Sequence, residues 1–122
     1  MVSKEKLVAV IDDDRAFREA LVESLFSLGY GARAFASAEE FLALDERGTC
    51  CVITDVHMPG MSGLDLKRAL TAREDSIPVI MVTARKEPNL EAKTAATGAV
   101  CLLRKPFGTE ALLSGLKMAL HD

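Results

Sequence analysis

Cys50-Cys51-Val52-Ile53-Thr54-Asp55 is a short apolar run closed by an acid, and its reading decides the fold. Residues 50–54 do not alternate between apolar and polar, as a strand with one wet face would. The run therefore reads as a strand buried on both faces. A loop rich in Met, Pro and Gly follows over residues 56–63.

Working outward, residues 7–11 (Leu-Val-Ala-Val-Ile), 78–83 and 100–103 are runs of the same kind, and 31–35 is a weaker one. Stretches with helical spacing separate them. Phe17, Ala20, Leu21, Ser24, Leu25 and Leu28 mark the first, and Gly29 closes it as a C-cap would. Ser37-Ala38-Glu39-Glu40 has the capping-box pattern and opens a helix with Phe41 and Leu42 inward. Residues 64–72, 89–97 and 109–120 are the remaining helices, the last with Leu112, Leu113, Leu116 and Leu120 inward. The order is five strand–helix units. Such an order indicates an α/β fold whose parallel sheet is covered on both faces, and right-handed crossovers make it doubly wound.

The 122 residues suit one domain, 1–122, without repeats or an interdomain linker. A composition 49% hydrophobic and 27% charged is that of a globular chain. The net charge of -3 does not suggest a nucleic-acid-binding surface. The apolar run at residues 7–11 is too short for a signal-peptide core or a membrane span, so a cytoplasmic location is expected. Cys50, Cys51 and Cys101 lack Cys-x-x-Cys spacing and read as buried thiols. His57 and His121 have no second ligand nearby in sequence, which argues against a histidine metal site.

In such sheets ligands bind beyond the carboxyl ends of the strands. The residues there are Asp12, Asp13 and Asp14 after the first run, Asp55 after the third, Thr83 at the end of the fourth, and Lys105 just beyond the fifth. Singly each has an ordinary explanation: a helix cap, a strand threonine, a solvated lysine. Jointly they aim carboxylates, a hydroxyl and an ammonium at one edge. Two carboxylates ~5 Å apart at an effective dielectric of ~20 repel by roughly 3 kcal/mol. Either a divalent cation joins them, with hard oxygen ligands suiting Mg²⁺, or Lys105 alone neutralises the cluster. A cation site beside an ammonium and a hydroxyl suits phosphoryl transfer, in which a carboxylate can serve as nucleophile.

The motifs Val10-Ile11-Asp12-Asp13, Thr54-Asp55-Val56-His57-Met58-Pro59-Gly60-Met61-Ser62-Gly63, Ile77 through Ala84, and Lys105-Pro106-Phe107 resemble the receiver domain of two-component response regulators. The resemblance covers nearly the whole chain and implies the flavodoxin-like strand order 2-1-3-4-5. It implies that Asp55 accepts a phosphoryl group from a sensor histidine kinase or phosphotransfer protein. The metal, Mg²⁺ or alternatively Mn²⁺, would be held by Asp13, by Asp12 through water, by Asp55 and by the backbone carbonyl of His57. Thr83 and Lys105 would hold the phosphoryl oxygens, and Lys105–Pro106 would be a cis peptide. The family also implies control of an output domain or partner, with a phosphorylation-dependent homodimer as one form, and no direct contact with nucleic acid or membrane.

Three positions qualify the resemblance. Asp14 blurs which acids form the pair, but a basic residue five after the second acid, here Arg18, makes that acid Asp13; Asp14 then reads as a first-turn acid favouring the helix dipole. Leu102 stands where many receivers carry an aromatic residue, which puts the usual threonine–aromatic coupling in doubt. His57 and Arg85 border the phosphoryl position, where the family tunes the lifetime of the phosphorylated state. The alanine-rich helix at 89–97 buries little and is expected to be the element that shifts. Two competing readings are a haloacid-dehalogenase-type phosphatase, from Asp12-x-Asp14, and a receiver that binds partners without phosphorylation. The first lacks room for a cap domain, and the second leaves a full set of site residues unexplained.

Overall fold

A computed structural model describes residues 6–44 and 48–120. The expectation for His121 falls outside them. Five strands, β1 (Leu7–Ile11), β2 (Gly31–Phe35), β3 (Thr49–Asp55), β4 (Val79–Thr83) and β5 (Cys101–Arg104), alternate with α1 (Arg15–Ser27), α2 (Ala38–Ala43), α3 (Gly63–Ala72), α4 (Leu90–Ala96) and α5 (Thr109–Leu120). All neighbouring strands pair in parallel, in the order β2-β1-β3-β4-β5. The expected order is thereby observed.

The lack of polar alternation in the strands has a direct cause. Alternate residues of β1, β3 and β4 enter two different cores. Ala9, Ile11, Val52, Val79 and Met81 pack with Phe41, Leu66, Leu70 and Leu90 of α2, α3 and α4. Val8, Val10, Cys51, Ile53, Ile80 and Val82 pack with Leu21, Leu25, Leu112 and Leu116 of α1 and α5. Both faces are covered, so both side-chain sets must be apolar.

Some boundaries differ from the sequence reading, each for a local reason. β4 begins at Val79 because Pro78 has no N–H to pair, although its carbonyl still accepts from Val52 N at 2.9 Å. α3 begins at Gly63 under a capping box formed by Ser62 and Asp65, a signal the sequence reading passed over. At α2 the Ser37 hydroxyl accepts from Glu40 N, but the Glu40 carboxylate reaches Ala36 N, one residue short of the full box. α5 buries Leu112, Gly115, Leu116 and Ala119, while Leu113 and Leu120 are only half-buried. Cys51 is buried and its thiol is pushed up to about 12, first by that burial, whereas Cys50 and Cys101 are half-buried. Among the described residues, no helix is long and apolar enough to cross a membrane.

Candidate phosphoryl-transfer site

β1 ends one residue before Asp12, and β3 ends on Asp55. Because both strands are parallel neighbours, their carboxyl ends lie side by side. Carboxylate oxygens of Asp12, Asp13 and Asp55 lie within 4.8 Å of one another. Lys105 enters from the end of β5 and places Nζ 2.9 Å from Asp12 Oδ2 and 3.4 Å from Asp55 Oδ2. Its peptide bond to Pro106 is cis. Lys105 N also donates to the Thr83 carbonyl at 2.8 Å, which ties the lysine to the end of β4.

Each acid in the Asp12-Asp13-Asp14 run has a separate task. Asp12 is 1% exposed, and its Oδ1 accepts from Asp14 N at 2.9 Å. Asp13 is exposed and free to face an ion. Asp14 is the N-cap of α1, accepting from Phe17 N at 3.3 Å, so it caps the helix rather than lying within its first turn as expected. Arg18 Nη1 donates to the Asp12 carbonyl at 2.6 Å, which gives a physical reason for a basic residue at that spacing.

Burial is the main reason the Asp12 carboxyl lies above its ordinary range; the Asp14 amide and Lys105 pull it down, and the Asp55 charge pushes it up again. For Lys105 burial acts downward, but the Asp12 hydrogen bond and the charges of Asp55 and Asp12 outweigh it and raise the ammonium's pKa. One ammonium thus meets two of the three clustered carboxylates. Two ligands 2.1 Å from a single Mg²⁺ stand at most about 4.2 Å apart. These oxygens already lie within 4.8 Å of one another, so they can draw together around one such ion, directly or through a water. The donor set is all hard oxygen, as such an ion prefers.

The β3–α3 loop is built to hold Asp55 in place. His57 N donates to Asp55 Oδ1 at 3.2 Å, leaving Oδ2 to Lys105. A Cβ on Gly63 would collide with the Asp55 carbonyl oxygen, so only glycine lets α3 start this close to the acid. Glu39 Oε2 accepts from Met61 N at 3.0 Å and tethers the loop to α2. Thr83 is fully buried, and its hydroxyl accepts from Arg85 N at 3.0 Å, so its proton remains available to a phosphoryl oxygen.

A cavity of ≈ 590 Å³ opens beside Asp13, walled by Met58, Pro59 and Arg85 among others. Across it His57 Nε2 meets Glu87 Oε1 at 3.0 Å, and Glu87 Oε2 meets Lys93 Nζ of α4 at 3.5 Å. The hydrogen bond with His57 is the main reason the Glu87 carboxyl lies below its usual range. Glu87 and Lys93 carried no sequence signal, because the link spans 30 residues and three elements.

The sequence matches the family described as response regulator receiver domain over residues 8–117. The chain belongs to that family. It is 37% identical over 121 residues to response regulator protein TodT of Pseudomonas putida, covering 98% of this chain and 53% of the relative. It is 35% identical over 116 residues to transcriptional regulatory protein FixJ of Bradyrhizobium diazoefficiens, covering 94% and 57%. The receiver thus spans about half the length of these curated relatives. The crystal structure of FixJ-N superposes with a TM-score of 0.89 at 29% identity, covering 98% of this chain and 97% of that one. The receiver is therefore a phosphorylation-controlled switch of a family phosphorylated by histidine kinases, on a flavodoxin-like fold.

Proposed function

We propose that the receiver, residues 1–122 as one domain, accepts its phosphoryl group on Asp55, and that the conformational change controls an output domain or partner. The observation that carries this reading is the convergence of Asp12, Asp13 and Asp55 within 4.8 Å, with Lys105 Nζ shared by Asp12 and Asp55. An Asp55 oxygen attacks phosphorus, the bond from phosphorus to the donor imidazole nitrogen of the kinase breaks, and the electron pair leaves with the imidazole, which is protonated as it departs. Lys105 turns its ammonium to one phosphoryl oxygen and Thr83 donates its hydroxyl proton to another. Asp12, Asp13, Asp55 and the His57 carbonyl would hold Mg²⁺ or Mn²⁺, which supplies positive charge to the phosphoryl oxygens. The same groups serve self-catalysed phosphorylation from small donors and hydrolysis of the aspartyl phosphate. A sensor histidine kinase or phosphotransfer protein as donor, and a cytoplasmic location for the receiver, complete the reading.

Incubation with Mg²⁺ and a small phosphodonor, followed by mass mapping, tests it. One phosphoryl group on Asp55, and none in Asp55→Asn, is the expected result. A phosphoryl group on Asp12 would overturn it in favour of the phosphatase-type reading. That reading already loses support from Asp14, whose carboxylate caps α1 and stands outside the acid cluster.

A further inference from the structure

We propose that Phe17 is a positioning residue for phosphoryl transfer, its ring forming the platform on which the Lys105 ammonium rests; this builds on the reading of Asp55 as acceptor. Lys105 Nζ lies 3.9 Å from the centroid of the Phe17 ring, over its face. The lysine side chain is 15% exposed, so the ring stands where water would otherwise solvate the ammonium. The Nζ therefore meets carboxylate on Asp12, carboxylate on Asp55, and a π face on Phe17. An ammonium over an aromatic face is attracted by the ring quadrupole, more strongly when both are partly desolvated.

The ring is itself held at both ends. Phe17 is the third residue of α1, and its amide is the one that Asp14 caps, so the last acid of the Asp12-Asp13-Asp14 run sets where the ring begins. Phe107, two residues beyond Lys105, meets the Phe17 ring at 78° with centroids 5.9 Å apart. The segment 105–107 thus clasps one ring twice, with the ammonium on its face and the second aromatic packed against it. Without that platform the ammonium has a hydrated side and more rotamers, and it reaches the phosphoryl oxygen from a broader set of positions. An aliphatic side chain fills similar space but has no quadrupole. This separates positioning of Lys105 from simple filling of the α1–α5 seam.

The test compares Phe17→Leu and Phe17→Met with Phe17→Tyr, which keeps the π face. Two readouts are used on the intact chain. The first is the NMR signal of the Lys105 ε-methylene protons, which the ring shifts upfield; it is read in Asp55→Asn as well, so it does not depend on phosphorylation. The upfield shift is expected to vanish in the Leu and Met variants and persist in Tyr. The second is the rate of phosphorylation by a small phosphodonor at saturating Mg²⁺. It should fall about tenfold in the Leu and Met variants and stay near the wild-type rate in Tyr, with melting temperatures showing every variant folded. Wild-type rates in a folded Leu or Met variant, or a Lys105 signal that ignores the ring, overturn the proposal. A wild-type chain that takes no phosphoryl group on Asp55 overturns the functional reading instead, and the Lys105 signal then still decides the contact.

Discussion

Replacing Asp13 by Asn should stabilise the metal-free protein and destroy its response to Mg²⁺. Asp13 is exposed and makes no hydrogen bond among the described residues, so the substitution removes charge and little else. Carboxylate oxygens of the cluster lie within 4.8 Å of one another, and a pair at that limit repels by about 3.5 kcal/mol at an effective dielectric of ~20 and by about 0.9 kcal/mol in water. Solvent reaches Asp13, so the lower figure governs. Two such pairs, with Asp12 and Asp55, are partly offset by Lys105, which leaves about 1 kcal/mol. For a chain of this size that raises Tm by roughly 3–5 °C. Mg²⁺ at ten times its Kd stabilises the wild type by about 1.4 kcal/mol, enough to reverse the order. Thermal melts in EDTA and in Mg²⁺ should therefore cross: the variant is the more stable without metal, the wild type with it. A variant that melts below wild type in EDTA, or one that gains as much from Mg²⁺, would refute the reasoning.

Four other outcomes follow from the geometry. Gly63→Ala should lose stability by about 1–3 kcal/mol, because the clash with the Asp55 carbonyl outweighs the ~1 kcal/mol that alanine adds to a helix; a raised Tm would count against it. Thr94 is 2% exposed on the inner face of α4, and its hydroxyl has no partner among the described residues, so Thr94→Val should stabilise α4 by about 1 kcal/mol and slow its amide exchange; unchanged exchange would contradict this. Asp12, raised above its ordinary 3.8 mainly by burial, adds stability when protonated and loses it as pH rises through the folded-state value. In EDTA, Asp12→Asn should therefore gain on the wild type as pH rises from about 4 upward, and denaturant titrations showing a flat or opposite difference would sink the idea. His57→Asn and Arg85→Ala should each alter the autodephosphorylation rate, since the His57 ring is held by Glu87 and Arg85 lines the cavity beside Asp13; rates unchanged from wild type in both would exclude that role.

Leu102 and α4 show how much a sequence says about signal transmission. Leu102 is half-buried and packs with the core cluster that includes Met81 and Leu90. No aromatic ring is available there to rotate, so a movement of Thr83 must pass through backbone and aliphatic contacts. α4 offers a responsive element: it buries only Leu90 and Thr94, and Asn89 opens it in a left-handed conformation without a side-chain cap. Its alanine content made that weakness readable in advance. Its tie to the site through Lys93, Glu87 and His57 was not readable, because these residues converge only after β3, β4 and α4 are placed.

Sequence alone determined the architecture and the contents of the site edge. Apolar runs without alternation demand a sheet covered on both faces, and the rule that ligands sit at the strands' carboxyl ends then points to Asp12, Asp13, Asp14, Asp55, Thr83 and Lys105. Those inferences depend on local pattern, and local pattern survives in a linear string. Tertiary structure decided which acid does what. Asp14 is chemically identical to Asp12 and Asp13, yet it caps α1 while they join the cluster, because it stands directly before the helix and its side chain meets the Phe17 amide. It also decided that Lys105 meets Asp12, Asp55 and the Phe17 ring together, across a separation of up to 93 residues. Contacts of that kind depend on strand order and register, and no spacing within the chain encodes them.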